Sequence, residues 1–146
     1  MIDLLFENGA TLKDLKSGDF SPLHVTAQYS NEKLSKILER NSANVNAKST
    51  MGLTPLHCAV IGKNVNICEL LISNGTDPNA LTAKSNGNLS PLHMAINAWS
   101  IEIIKLLLEN NANVHQRCDE GFSALEYALK IKDIKMLKLL IRLTPQ

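Results

Sequence analysis

Thr54-Pro55-Leu56-His57-Cys58-Ala59 is the stretch that decides the fold, because the chain returns to it. Ser21-Pro22-Leu23-His24 precedes it, Ser90-Pro91-Leu92-His93 follows it, and Ser123-Ala124-Leu125-Glu126 is a worn last copy. The first residues of these tetrapeptides stand 33, 36 and 33 positions apart. Ser or Thr before Pro is what a helix start requires: the hydroxyl accepts a hydrogen bond from a free backbone amide one turn in, and Pro at the first helical position has no amide to leave unpaired. Each copy is therefore predicted to open a helix. In the last copy Pro is lost, but Ser123 and Glu126 have capping-box spacing, which preserves the start by another route. Ala27, Ala59, Ala95 and Ala128 fall on these helices, where small side chains let neighbouring helices approach closely.

A period near 33 built on this tetrapeptide resembles the ankyrin-repeat family over nearly all of the chain. The resemblance implies an all-α solenoid, in which stacked helix-turn-helix repeats are joined by β-hairpin-like fingers. The expected organisation is a single domain over 1–146, with a half-repeat at 1–16 and repeats at 17–48, 49–81, 82–116 and 117–146. Helices are expected near 22–29, 32–40, 55–61, 65–73, 91–98, 101–110, 124–131 and 134–143. The stretch from Ile2 to Ala10 parallels that from Ile104 to Ala112, so the chain opens on a second helix without its first. Either that half-repeat is an N-terminal cap or the sequence is a piece cut from a longer protein. At the other end, Glu126, Lys130, Lys132, Lys135, Lys138 and Arg142 are expected to give repeat four the polar outer face of a terminal cap, against which Ile141 and Leu143 count mildly. The connection from Leu81 to Leu89 holds three extra residues and includes Ser85-Asn86-Gly87-Asn88, which predicts a turn in a longer finger.

Composition agrees with a globular chain. At 146 residues there is room for one domain, and 45% apolar with 20% charged residues is too apolar for disorder. Only 4% are aromatic, so the core must be aliphatic. A net charge of +1 supplies no global attraction to nucleic acid or to an anionic membrane. Cys58, Cys68 and Cys118 make an odd count without CxxC pairing, which predicts reduced thiols rather than a disulfide framework or a zinc site. Of these, Cys118 in a finger is expected to be the most exposed. Acids in Met1-Ile2-Asp3-Leu4-Leu5-Phe6-Glu7 do not suit a signal peptide, and the run from Ile101 to Leu108 is too short and too charged to span a bilayer. An intracellular protein, cytoplasmic or nuclear, is expected.

Departures from the family pattern carry physical consequences. Between the two helices of a repeat the family usually places Gly, whereas the equivalent residues here are Ser30, Lys63, Trp99 and Lys132. A left-handed backbone at those sites strains each by about 1 kcal/mol. At the ends of the second helices Gly9 and Gly75 fit, Asn111 is an acceptable replacement and Ser42 a weaker one. Thr26 and Glu32 stand where Ala and an apolar residue are usual, which makes repeat one the loosest full repeat.

The remaining question is chemistry. His24, His57 and His93 each follow a Ser or Thr by three residues, but a triplicated placement in successive repeats is structural service, with the imidazole bonding backbone in its own or the adjacent loop. His115 is a lone finger residue. No metal-ligand spacing and no glycine-rich phosphate loop is present, so no cofactor, metal or small-molecule substrate is expected, and the chain reads as a non-enzyme. Lys135, Lys138 and Arg142 line one face of the last helix, a solvated surface or a dock for an acidic partner; aromatics that would interleave with nucleic-acid bases are missing.

The resemblance implies binding of a protein partner through the concave surface and fingers by a chain that is monomeric unless partner-bound. Two narrower forms stay open: a small stand-alone inhibitor similar in architecture to the inhibitors of Rel-type transcription factors, or the targeting part of a larger adaptor or effector. The residue before each tetrapeptide is apolar, Phe20, Leu53, Leu89 and Phe122, and in the family this position lies on the finger side. Tyr29, Ile61 and Ile131 near the ends of the first helices add to that side, with Trp99 at the neighbouring turn. Aligned by stacking, these eight form a candidate partner-binding ladder; the alternative is that each packs on the next finger.

Overall fold

The computed structural model describes Leu23, His24, Ala27 and residues 44–144. Six α-helices occur in that span: α1 (Pro55–Ile61), α2 (Val65–Ser73), α3 (Pro91–Asn97), α4 (Ile101–Glu109), α5 (Ala124–Lys130) and α6 (Ile134–Leu143). A short 3-10 turn, Lys84–Asn86, lies between α2 and α3, and no strand is formed among the described residues. The architecture is a repeat solenoid of stacked helix pairs. The expected helices before residue 44, and with them Ser30 and Ser42, lie outside the described residues apart from the helical Leu23, His24 and Ala27.

Each of the three first helices whose start is described begins as its tetrapeptide dictates. The Thr54 hydroxyl accepts from the His57 amide at 3.4 Å, and the Thr54 amide donates back to His57 Nδ1 at 3.0 Å. Ser90 and His93 repeat this pair at 3.2 and 3.4 Å, and in the last repeat the Ser123 amide donates to Glu126 Oε2 at 2.9 Å. All three are capping boxes; two of them use an imidazole where Glu or Gln is usual. Of the second helices, α2 is capped by Asn64, which accepts from the Ile67 amide at 3.1 Å, and α6 by Asp133, which accepts from the Met136 amide at 2.9 Å, whereas Ser100 before α4 makes no side-chain cap bond.

Helix ends are equally regular. Lys63, Trp99 and Lys132 adopt φ of 53°, 60° and 58°, the left-handed conformation expected at the turn between helices. Each lets the following amide reach back to a carbonyl one turn inside the helix: Asn64 to Ala59, Ser100 to Ala95 and Asp133 to Ala128, all at 3.1 Å. Gly75 and Asn111 do the same for α2 and α4, with φ of 89° and 68°. These are Schellman closures, which satisfy carbonyls that the helix itself cannot.

First helices stack on first helices, α1 on α3 and α3 on α5, while α4 packs on α2 in the outer layer. Ala59, Ala95 and Ala128 are fully buried where the first helices meet. Leu56 and Leu92 of the first helices join Leu71, Ile103, Ile104, Leu107, Met136 and Leu140 of the second in one core cluster, aliphatic apart from sulfur. Between repeats, asparagines bridge the loops. Asn46 Oδ1 accepts from the Asp77 amide at 2.7 Å, and Asn79 Oδ1 accepts from the Asn113 amide at 2.6 Å. Their amide groups reach Gly75 and Asn111 carbonyls, so each asparagine holds two points of the next repeat.

The fingers close as paired turns. Ser49 and Leu53 pair at 2.9 Å, Thr82 and Leu89 at 2.9 Å, and Cys118 and Phe122 at 3.0 Å. The three extra residues of the middle finger are taken up by the 3-10 turn followed by Gly87 and Asn88 in left-handed conformation. That turn is joined to the next finger by a hydrogen bond from the Asp119 amide to the Gly87 carbonyl at 2.9 Å.

Cys118 is the most exposed of the three cysteines, as expected, but at only 6% it is still buried, because it occupies the base of its finger as Ser49 does, closing the turn through its own amide and carbonyl. Cys58 and Cys68 are buried in the helical core, where burial pushes both thiols up to about 12. All three cysteines are free thiols. Under native conditions none is expected to react with a thiol label until the fold opens, so labelling should follow the unfolding curve. Reaction of Cys118 in folded protein at the rate of an unprotected thiol would refute this.

Candidate protein-binding surface

The three buried histidines organise the finger side. His24 Nε2 donates to the Leu53 carbonyl at 2.7 Å, His57 Nε2 to the Leu89 carbonyl at 3.2 Å and His93 Nε2 to the Phe122 carbonyl at 2.9 Å. Each imidazole thus caps its own helix through Nδ1, where described, and grips the following finger through Nε2. That division fixes the tautomer, with the proton on Nε2. Burial is the main cause that holds all three below the usual histidine range, His57 at about 4, so the rings are neutral in the folded stack at neutral pH.

The eight ladder residues consequently divide. Phe20 and Tyr29 lie outside the described residues. Leu53 is buried, and its carbonyl receives His24. Leu89 and Phe122 are half-buried, with the same backbone duty toward His57 and His93. Ile131 is half-buried against the core. Ile61, 45% exposed at the end of α1, and Trp99, 50% exposed at the turn before α4, are the members most open to solvent. Phe122 and Trp99 face different hollows: Phe122 shares one with Arg117, Glu126, Leu129 and Lys130, whereas Trp99 shares another with side chains of α6. The finger positions were singled out for their side chains, yet their carbonyls are what the histidines use.

Four exposed apolar residues were not anticipated: Met51, Ile101, Leu129 and Ile134. Met51, at the tip of a finger, is 45% exposed, and Leu129 on α5 is 61% exposed. The counterparts of Leu129 in the preceding repeats, Val60 and Ile96, are fully buried by the helices stacked on them. In sequence Leu129 keeps the apolar character of Val60 and Ile96, so that position alone carries no signal that it is exposed.

Around Phe122 the surface is charged on both sides. Arg117 pairs with Glu126 at 2.7 Å, and Lys130 pairs with Glu120 while lying 5.2 Å from the Phe122 ring centre. Hydrogen bonding from the Ser123 amide, with Arg117 alongside, holds the Glu126 carboxyl below the ordinary carboxylate range. Such exposed pairs add little stability and serve as a polar rim. Among the described residues no group of three or more His, Cys, Asp or Glu side chains converges as a metal site would require. No described helix is long and apolar enough to cross a membrane.

Stacked helix pairs of this length, joined by fingers that the preceding repeat's histidine secures, define a helical repeat protein. The family model for ankyrin repeats (3 copies) matches residues 1–82 and again 80–145, and the chain belongs to the ankyrin-repeat family. It is 34% identical over 81 residues to delta-latroinsectotoxin-Lt1a of Latrodectus tredecimguttatus, an alignment covering 54% of this chain and 7% of the toxin. It is also 34% identical over 74 residues to a putative ankyrin repeat protein of Rickettsia bellii (strain RML369-C), covering 50% of this chain and 30% of that protein. The chain thus spans a minor part of each of these curated relatives. Ankyrin repeats are generally protein–protein interaction modules and are typically non-enzymatic.

Proposed function

We propose that the chain is a non-enzymatic module that holds a protein partner on its finger side and along the exposed ends of its first helices. The observation that carries this reading is the pair Met51 and Ile61, apolar side chains left open on the finger and first helix of one repeat whose backbone is locked by caps and closures. Leu89 and Phe122, half-buried on the following fingers, extend the same side. A rigid surface of this kind binds without an ordering cost, which favours affinity from few contacts. Of the narrower roles, a stand-alone inhibitor and the targeting part of a larger protein, the second is favoured by relatives in which the aligned stretch is a small fraction of the whole.

The test is capture from the native host with the unaltered chain and with Met51→Asp/Ile61→Asp. Both side chains are exposed, so the double variant should unfold within about 0.5 kcal/mol per site of the parent. Loss of the captured protein with unchanged unfolding supports the reading. Undiminished capture by the variant removes Met51 and Ile61 from the contact surface and the reading with them.

A further inference from the structure

In the outer layer α4 seats closely on α2, whereas α6 meets α4 less closely. The space between α4 and α6 is a groove of about 470 Å³. Met136, almost wholly buried, forms its floor; Trp99, Ile101 and Leu139 supply apolar walls; Lys135, Lys138 and Arg142 supply charge, and no carboxylate lines it. Arg142 continues into an adjoining hollow shared with Lys105 and Glu109. The ion pairs among the described residues are Arg117 with Glu126 and Lys130 with Glu120, so none of the three groove cations is paired with a described carboxylate. In a chain whose net charge is only +1, this is a local concentration of positive charge beside an open apolar floor.

Trp99 adds a second mark. It is the chain's single tryptophan, and it stands at φ 60°, a backbone conformation that disfavours bulky side chains. The strained turn presents the indole to the groove at half exposure instead of burying it. An exposed aromatic beside aliphatic walls and unpaired cations is the composition of an interface hot spot.

We propose that the α4–α6 groove docks an acidic segment of a protein partner, with one apolar side chain of the segment against Trp99, Ile101 and Leu139 and its flanking carboxylates toward Lys135, Lys138 and Arg142. Charge complementarity selects the acidic character, and the Met136 floor selects the apolar anchor. Single-stranded nucleic acid fits less well, because it needs successive aromatic platforms for its bases and the walls beside Trp99 are aliphatic. This surface is separate from Met51 and Ile61, so either binding site can fail without the other.

Trp99 is its own reporter. The full chain is titrated at low salt with a short synthetic peptide alternating Glu with Leu, and the indole emission is followed. Saturable binding with a blue shift is expected, weakening as salt is raised because the groove cations are exposed. Lys135→Glu/Arg142→Glu should weaken binding by at least about tenfold, as loss of complementary charge does, with helicity and thermal unfolding unchanged. A peptide with Ser in place of Leu should fail to shift the emission. No saturable shift with the Glu-Leu peptide, or equal binding by the charge-reversed variant, overturns the proposal. So does a shift produced by a single-stranded oligonucleotide and not by the peptide, or one produced by raising protein concentration alone, which would make a second copy of this chain the occupant.

Discussion

Acidification from pH 7 to pH 4 is expected to remove about 3 kcal/mol of folding stability through His57 alone. Burial, the dominant cause, lowers the pKa of this imidazole to about 4 in the folded chain, against an ordinary value of 6.5. Above pH 6.5 the ring is neutral in both folded and unfolded chains, and stability does not change with pH on its account. Between pH 6.5 and about 4 the unfolded chain binds a proton that the folded chain refuses, so stability falls as pH falls. Below about pH 4 the loss is complete. Geometry explains the refusal: Nδ1 accepts from the Thr54 amide, and a proton there would set donor against donor while Nε2 remains committed to the Leu89 carbonyl. His24 and His93 are lowered in the same direction by the same cause and add to the loss. Glu126, held low chiefly by its bond from the Ser123 amide, contributes only at more acid pH, as its carboxylate is protonated. Urea midpoints measured from pH 7.5 to 4, with imidazole titration followed by NMR, check the expectation. A flat midpoint across that window, or a His57 that titrates near 6.5 in folded protein, would show that the imidazole is not held between cap and finger.

Gly52→Ala is expected to cost about 3 to 5 kcal/mol, far more than a surface substitution. Gly52 has φ 75°, and a Cβ built on it would lie 2.1 Å from the Ala83 amide nitrogen and 2.7 Å from the Thr82 carbonyl carbon. Both are backbone of the next finger, which cannot rotate away as a side chain would. The Ala83 amide donates to the Met51 carbonyl at 2.9 Å beside it, so the methyl group must displace a bond that joins two repeats. Gly121 provides the internal control. It occupies the matching turn with φ 86°, but a Cβ there meets nothing within 4 Å among the described residues. Gly121→Ala should therefore show the backbone strain alone, about 1 to 2 kcal/mol. Chemical denaturation of both variants measures the difference. Equal destabilisation would mean that the fingers do not rest on one another at Gly52.

Much of the stack was legible because its determinants are local. Thr54-Pro55 and Ser90-Pro91 mark helix starts through chemistry that needs no tertiary partner, and α1 through α6 begin within a residue of where they were expected. Lys63, Trp99 and Lys132 stand where the family pattern usually has Gly, and the left-handed backbone that Gly would favour is kept there, with positive φ. What escaped depends on contacts across repeats. His57 and His93 were expected to bond backbone in their own or the adjacent loop and they do both, but that the first of these bonds makes each the capping-box partner in place of Glu or Gln was not read from the spacing. Cys118 was placed as the most exposed of the three thiols and is, but how little of it is exposed was not legible, because its position is the base of the turn and is buried like that of Ser49. Leu53 and Trp99 were grouped on one ladder by register, and register does not say that one is covered by its neighbours while the other turns toward α6.

The links from repeat to repeat have a mechanical meaning. An imidazole on a carbonyl one finger ahead and an asparagine straddling two loops recur at successive junctions, and each described first helix stacks on the first helix of the next repeat. Load along such a rod passes from one junction to the next. Pulled from its two ends, it resists only as strongly as its weakest joint and lengthens in discrete steps, one repeat at a time, each step leaving the next joint to bear the load. Among the described junctions, the loose meeting of α4 and α6 makes the one between the third and fourth repeats the first expected to give, since α6 supports α4 less closely than α4 supports α2.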